Sequence, residues 1–244
     1  MQRQSLFFLL FILLTPIQSI AAWRSLAPGI EYTQINAITF SRWSHVHVFR
    51  INPQQNRLDL IMATDLGKNQ ASIKDFAENS HALIAVNGGF FDQQGKPLGL
   101  RIVNSRQRHP LKPISWWGVF YIKNQHPHIV AGTNSVPNNV EFAVQAGPRL
   151  IINSKIPRLK PGYAERTALG LDAAGNILLV VTENTPMTTT ELAERMHARP
   201  IQCTQALNLD GGSSTQLYAD LHEFNLFEPG FANISDSLVF TARR

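Results

Sequence analysis

The sequence predicts an α+β fold, with strand-rich mixed or antiparallel sheets and a few helices packed outside them. Many short segments are rich in Val, Ile and Phe, and several of them alternate apolar and polar residues as half-buried strands do. Only two segments have the apolar spacing of an amphipathic helix. Because these helices do not alternate regularly with the strands, the pattern argues against a doubly wound parallel sheet.

The strand candidates are distributed along the whole chain after the first thirty or so residues. In order, they are Ile30–Ile35, His45–Ile51, Leu58–Thr64, Leu83–Val86, Leu98–Asn104, Trp116–Ile122, Val140–Val144, Leu150–Ile152, Thr167–Asp172, Ile177–Thr182, Ala206–Leu209, Thr215–Tyr218 and Ser237–Phe240. Asp172-Ala-Ala-Gly175-Asn176 lies between two apolar runs and predicts a hairpin loop. The Asn-, Pro- and His-rich stretch Lys123–Asn139 is predicted to be an exposed loop.

Both helices are recognised by the residues that cap them. The first is predicted over about residues 73–80, with Ser72 as its N-cap. The second is predicted over about residues 189–198, because Thr188 followed three residues later by Glu191 forms a capping box.

The N-terminus has the pattern of an export signal. A basic residue, Arg3, precedes the apolar run Leu6–Leu14, and Ser19-Ile20-Ala21 fits a small-x-small cleavage site. The run is too short for a membrane span, although an N-terminal anchor or a buried strand remains an alternative. We therefore expect a signal peptide over residues 1–21, one domain over residues 22–244, a periplasmic or secreted location, and no stable membrane insertion after cleavage.

Composition excludes several classes of protein. With 44% hydrophobic and 16% charged residues in 244, the chain is not expected to be disordered. The net charge is +5, but the cations are scattered, so nucleic-acid binding gains little support. A single cysteine, Cys203, excludes an intramolecular disulfide framework and a cysteine-based zinc site.

A short apolar strand followed by a polar residue and Gly-Gly occurs twice, at Asn87-Gly-Gly and Asp210-Gly-Gly. Paired glycines at a strand end indicate either a positive φ or a close approach of the backbone to another group. Their N–H groups can form a concave anion site, and the hydroxyls after the second pair add donors. A plain tight turn is the equally open alternative. Neither pair is a Walker loop or a dinucleotide fingerprint.

Several separated motifs occur in a characteristic order. They are Asn87-Gly-Gly-Phe-Phe91, Leu98-Gly99, Gly147-Pro148, Glu165-Arg-Thr-Ala-Leu-Gly170, Met187-Thr188 with Glu191-Leu-Ala193, and Asn208-Leu-Asp-Gly-Gly-Ser-Ser-Thr215. Together they resemble the phosphodiester glycosidase family over roughly residues 80–240. The resemblance implies hydrolysis of the bond between a sugar's anomeric carbon and a phosphodiester. The bacterial branch of the family is associated with exopolysaccharide or cell-wall glycans.

Two departures from the family pattern bear on specificity. Ser213 stands where members often have a third glycine, which narrows the expected anion loop. Glu183-Asn184-Thr185 replaces an Asp-Gly-Arg-like turn, which is expected to alter the sugar that fits.

Three residues are the candidates for catalysis. Asp210 is the first carboxylate, with a backbone-capping turn as its alternative role. Arg166 is the candidate phosphate clamp, because guanidinium pairs bidentately with phosphate oxygens; its alternative is a salt bridge, for example with Glu165. Neighbouring residues of a strand face opposite ways, so Glu165 and Arg166 are not both expected in the site. Glu183, at the end of its strand, is a further candidate acid.

The remaining candidates are substrate-binding residues at the two Gly-Gly turns. They are Asn87, Gly88, Gly89, Phe91, Asp92, Gly211, Gly212, Ser213, Ser214 and Thr215. Asn87 is a candidate for a sugar hydroxyl and Asp92 for a base or a calcium-type ligand, with turn formation as the alternative for both. Of the adjacent pairs Phe90-Phe91 and Trp116-Trp117, one member of each is expected in the core and the other on a sugar-stacking face.

No cofactor and no catalytic metal is expected, although a structural divalent cation is left open. His45-x-His47 and His126-x-His128 each place two imidazoles on one face of a strand, but neither pair has an evident third ligand.

The favoured hypothesis is an exported hydrolase that acts on sugar-1-phosphodiesters in envelope or extracellular glycans. The alternatives are a non-catalytic glycan- or phosphoglycan-binding envelope protein on the same fold, and a structural envelope protein. The hydrolase requires Asn87, Arg166 and Asp210 to line one open cleft.

Overall fold

Three antiparallel sheets form the framework of residues 22–36, 43–134 and 136–243, which are the residues that the computed structural model describes. The strands are β1 Arg24–Ala27, β2 Ile30–Asn36, β3 His45–Ile51, β4 Asn56–Met62, β5 Ile84–Asn87, β6 Arg101–Val103, β7 Arg106–His109, β8 Gly118–Lys123, β9 His126–Ala131, β10 Phe142–Ala146, β11 Arg149–Ile151, β12 Thr167–Leu171, β13 Ile177–Glu183, β14 Gln205–Asn208, β15 Leu217–Leu221, β16 Phe224–Glu228 and β17 Asp236–Ala242. The helices are α1 Ile73–Ser80 and α2 Thr189–His197. The expected signal peptide over residues 1–21 lies outside the described residues.

The strand order explains how distant segments meet. The seven-stranded sheet has the order β1-β2-β3-β13-β12-β14-β11. One five-stranded sheet has the order β7-β6-β10-β8-β9, and the other has the order β16-β15-β5-β17-β4. Since β5 and β14 belong to different sheets, their carboxyl ends come together only through packing of the sheets.

The main core fills the space between the sheets. Phe49 and Leu179 of the seven-stranded sheet belong to the same buried cluster as Phe120, Phe142 and Phe240 of the two smaller sheets. Burying side chains of this size is the main favourable contribution to folding.

Each helix covers the outer face of a sheet, as predicted. The α2 residues Leu192 and Met196 pack on Val48 and Val180 of the seven-stranded sheet. In α1, Phe76 lies in a separate buried cluster against the sheet that contains β5. Neither helix of the described residues has the length and apolar content that crossing a bilayer requires.

Both helices begin where their caps predict. The Ser72 hydroxyl accepts a hydrogen bond from the Asp75 amide, and Asp75 reaches back to the Ser72 amide. Thr188 and Glu191 make the same reciprocal pair at α2. The hairpin loop also forms, because the Asp172 carboxylate accepts from the amides of the residues that follow it.

The prediction of an exposed loop over Lys123–Asn139 is wrong in its first half. Residues His126–Ala131 form β9, which pairs with β8 along its whole length. Because β9 lies at the edge of its sheet, Pro127 does not interrupt the pairing.

Candidate functional site

The two Gly-Gly turns lie side by side where β5 and β14 end. The Asp210 amide donates to the Gly88 carbonyl over 3.2 Å, and the Asn87 side-chain amide donates to the Asp210 carbonyl over 2.7 Å. Two segments more than one hundred residues apart are therefore joined directly.

Asn87, at the end of β5, connects three other segments of the chain. Its Oδ1 accepts from the Thr167 hydroxyl at 2.6 Å and from the Gln216 amide at 3.3 Å, while its Nδ2 is bonded to Asp210. The residue has no exposed surface. Asn87 thus positions both turns from a fully buried site. It does not line an open cleft, contrary to the expectation that it does so with Arg166 and Asp210.

The first glycine pair is required by a buried ion pair. Arg101 Nε donates to Asp236 Oδ2 at 3.0 Å, and both side chains are fully buried. A Cβ at Gly88 would collide with the Asp236 carboxylate, and one at Gly89 would collide with the Arg101 guanidinium. The Arg101 guanidinium also donates to the Phe90 carbonyl at 3.1 Å. Close approach, not a positive φ, therefore explains this pair.

The second glycine pair combines both explanations. Gly211 packs against the Glu165 carbonyl and leaves no room for a side chain there, whereas Gly212 has a φ of +63°. Gly212 opens a short 3-10 turn that runs to Ser214.

The amides of all four glycines are already used within the protein. Gly88 and Gly89 donate to the Asp236 carbonyl and carboxylate, at 2.9 and 3.0 Å. Gly211 donates to Asp210 Oδ1 at 2.9 Å, and Gly212 donates to the Glu165 carbonyl at 2.8 Å. These four N–H groups are therefore engaged and do not form an open anion-binding concavity.

Asp210 is a half-buried carboxylate. Burial raises the pKa of Asp210, whereas hydrogen bonds from the Ser214 hydroxyl and the Gly211 amide lower it. The negative charge of Asp236 raises this pKa further, and the positive charge of Arg101 lowers it. Asp210 thus caps its own turn and also presents a carboxylate at the junction of the two turns.

Arg166 is a half-buried cation. Its Nε donates to the Met187 carbonyl at 2.8 Å, and its Nη2 donates to the Gly162 carbonyl. Burial lowers its pKa. Among the described residues no carboxylate lies within 4.0 Å of this guanidinium, so the alternative of a structural salt bridge is not realised.

Glu165 points away from Arg166, as the alternation along a strand predicts. Its carboxylate accepts from the Thr182 hydroxyl and from the Thr185 amide, the latter at 2.9 Å. The Glu165 backbone carbonyl accepts a hydrogen bond from the Gly212 amide, so Glu165 lies next to the second turn.

Glu183 lies in a group of side chains that sequence reasoning only partly identified. Its Oε2 is 2.9 Å from His47 Nε2, and a ligand atom of Glu228 lies within 4.8 Å of both. Burial and the neighbouring carboxylate of Glu183, with a smaller effect from Glu165, raise the pKa of Glu228 to about 7. No motif marks Glu228, because its role depends on the pairing of β16 with β15.

A family comparison matches this architecture. The model of the phosphodiester glycosidase family matches residues 80–241, which include both Gly-Gly turns, Glu165, Arg166 and Glu228. The chain belongs to the phosphodiester glycosidase family.

A curated relative of this family member is the "Uncharacterized protein YigE" of Escherichia coli (strain K12). The two are 29% identical over 155 residues, which is 57% of this chain and 61% of the relative. The alignment thus spans less than two thirds of the relative's length.

Two solved structures share the phosphodiester glycosidase fold at low identity. One is the catalytic domain of zebrafish N-acetylglucosamine-1-phosphodiester alpha-N-acetylglucosaminidase, auto-inhibited by its pro-peptide; the TM-score is 0.69 at 17% identity, with 92% of this chain and 87% of that one covered. The other is a hypothetical protein from Synechocystis, with a TM-score of 0.67 at 18% identity, covering 91% of this chain and 64% of that one. These likenesses establish the fold.

The other predicted binding residues of this family member occupy different surroundings. Asp92 Oδ1 accepts from the amides of Gln94 and Lys96, at 3.0 and 2.9 Å, which is the turn-forming alternative. Ser213 is exposed, whereas the Thr215 hydroxyl is buried without a hydrogen-bond partner among the described residues.

The aromatic pairs divide in two ways. Trp117 is buried and packs on Phe90 with ring centroids 5.2 Å apart, while Trp116 is 55% exposed. This pair therefore follows the expected division into a core and a surface member. Phe90 and Phe91 are both half-buried and pack against different core clusters, so that pair does not divide in this way.

Proposed function

We propose that this phosphodiester glycosidase family member hydrolyses the bond between a sugar's anomeric carbon and a phosphodiester in envelope or extracellular glycans. The observation that carries the proposal is the half-buried carboxylate of Asp210 at the junction of the two turns. The second group that the proposal assigns is the half-buried guanidinium of Arg166, which has no carboxylate partner among the described residues and whose neighbour Glu165 contacts the second turn through its backbone carbonyl. Family membership supports the hydrolase class. The export-like pattern over residues 1–21 supports the location.

The proposed chemistry divides the substrate between these two groups. Arg166 binds the anionic phosphate oxygens, for which a planar guanidinium is well suited. Asp210 supports the positive charge that develops at the anomeric carbon. Water adds to that carbon, so the products are a free sugar and a phosphomonoester. Because a phosphodiester is already a fair leaving group, the step places little demand on a general acid.

The proposal is tested by turnover of UDP-N-acetylglucosamine and related sugar-1-phosphodiesters by the purified chain. We expect Asp210→Asn and Arg166→Ala each to lower kcat/KM by roughly 100-fold or more, since groups that stabilise transition-state charge contribute on this scale. Asp220→Asn and Arg158→Ala, at exposed positions, are the matched controls and should retain activity.

Thermal unfolding of every variant separates loss of chemistry from loss of fold. Wild-type turnover that survives in both site variants would contradict these assignments. Glycan binding by the wild-type chain without any turnover would instead support the non-catalytic glycan-binding protein.

A further inference from the structure

Three side chains from three separate strands converge beside Glu165. We call His47 of β3, Glu183 at the end of β13 and Glu228 at the end of β16 the His47 cluster. One potential ligand atom from each lies within 4.8 Å of the other two. Ligand atoms bound at about 2.1 Å to one ion lie within about 4.2 Å of one another, so the cluster needs only small side-chain adjustments to surround an ion.

The His47 cluster has an excess of negative charge. Glu183 is 18% exposed and Glu228 is half-buried, and Glu165 is close enough to influence Glu228. Within the described part of the chain, none of these three carboxylates has a Lys or Arg nitrogen within 4.0 Å. Burying carboxylates together is costly unless a cation or a proton compensates them.

The hydrogen bonds of His47 allow the tautomer that a metal ligand needs. When the Tyr32 hydroxyl donates to Gln34 Oε1, 3.2 Å away, its oxygen accepts from His47 Nδ1–H at 2.9 Å, and Nε2 carries a lone pair that can bind an ion. In the other tautomer, Nε2–H donates to Glu183 Oε2 at 2.9 Å, which is the contact that a bound ion would replace.

Tyr32 holds the His47 imidazole in a fixed orientation. Only 2% of the His47 side chain is exposed, and the Tyr32 hydroxyl lies 2.9 Å from Nδ1, as partners of metal-bound histidines commonly do. The Glu165 carboxylate accepts hydrogen bonds from Thr182 and Thr185, so we do not count it among the metal ligands.

We propose that His47, Glu183 and Glu228 bind one divalent transition-metal ion, of which Zn²⁺ is the representative. One imidazole with two carboxylates is a donor set that suits Zn²⁺ better than Mg²⁺ or Ca²⁺, which prefer oxygen ligands alone. Three protein ligands leave a coordination position for water or another oxygen donor. This inference does not depend on the proposed hydrolysis, because it concerns binding of the metal alone.

The test is titration of the purified chain with ZnCl₂ after treatment with a chelator and removal of the chelator. Isothermal titration calorimetry should give one ion per chain, and thermal unfolding should shift upward with added Zn²⁺ because a ligand of the native state stabilises it. MgCl₂ and CaCl₂ titrations under the same conditions should give weaker binding.

Variants assign the site. Glu228→Gln and His47→Gln should each weaken Zn²⁺ binding at least tenfold, and Tyr32→Phe should weaken it while the stoichiometry stays at one. The matched control is His126→Gln on β9, an exposed member of the other His-x-His pair, which should bind Zn²⁺ as the wild type does. Should His47→Gln fail to fold, Glu228→Gln on the edge strand β16 carries the test.

Absence of stoichiometric Zn²⁺ binding would overturn the proposal, as would unchanged affinity in Glu228→Gln. Loss of binding in His126→Gln with retention in the cluster variants would place the ion elsewhere and would also overturn it.

Discussion

Asp236→Asn is expected to destabilise the fold through Arg101. The two side chains form an ion pair at 3.0 Å and are both fully buried. Asparagine keeps an oxygen that can accept from the Gly89 amide, but it removes the charge that compensates the guanidinium. Breaking one side of a buried ion pair costs about 3–5 kcal/mol.

The structure places the expected loss near the lower end of that range. Arg101 retains bonds to the carbonyls of Phe90, Leu100 and Gln145, at 3.1, 3.2 and 3.1 Å, which continue to stabilise its charge. We therefore expect a loss of about 3 kcal/mol, which corresponds to a decrease in Tm of about 6–12 °C for a domain of this size.

Urea unfolding at pH 7, with the slope m compared between variants, measures this loss. The control is Asp59→Asn, which breaks the partly exposed pair with Arg57 and should change the free energy of unfolding by about 0.5 kcal/mol or less. A change below about 1 kcal/mol for Asp236→Asn would refute the argument that Arg101 depends on this carboxylate.

Three further outcomes follow from the same structure. Burial raises the pKa of Asp210, so the acid limb of the kcat/KM profile should lie above the ordinary range of an aspartate. Because the pKa is raised in the folded state, the protonated carboxyl favours folding at low pH, and this contribution to stability is lost as pH rises through the folded-state pKa. A pH–rate profile that stays flat below pH 4 would contradict this. Gly89→Ala should lower the free energy of unfolding by about 1–3 kcal/mol, because the added Cβ would collide with the buried Arg101 guanidinium. A urea midpoint equal to that of the wild type would contradict this, since it would show that the turn shifts to accommodate the Cβ. Hydrogen bonds from Thr188 lower the pKa of Glu191, so the ionised Glu191 carboxylate stabilises the fold above pH 4.5 and this stabilisation is lost as pH falls. When the free energy of unfolding is measured between pH 6 and 3, the Glu191→Gln variant should therefore show a smaller dependence on pH than the wild type.

Local signals were sufficient for the helices and for most strands. Helix α1 begins and ends at the predicted residues because Ser72 and Asp75 cap it through contacts encoded within one turn. The strands that were not predicted, β1, β7, β9 and β16, all lie at sheet edges. An edge strand needs fewer apolar residues, and β7 reads Arg-Gln-Arg-His, so the pattern of a half-buried strand is absent there.

The candidate site could be predicted only where its chemistry is written in a short motif. The two Gly-Gly turns were recognisable as strand ends, and the structure joins them through Asn87 and Asp210. Arg101 and Asp236, which explain why the first turn needs glycine, are 135 residues apart and carry no shared motif. Glu228 reaches the His47 cluster only through the register of an edge strand, which the sequence does not reveal.

The distribution of charge at this end of the sheets bears on the choice between an enzyme and a binding protein. Arg101 is neutralised by Asp236 and saturated by carbonyls, so it is not available to an anionic substrate, whereas Arg166 has no carboxylate partner among the described residues. Burial raises the pKa of Asp210 and of Glu228, which makes each carboxylate less favourable to ionise. Such an arrangement reduces stability, and perturbed carboxylates of this kind concentrate at catalytic sites more than at surfaces that only bind.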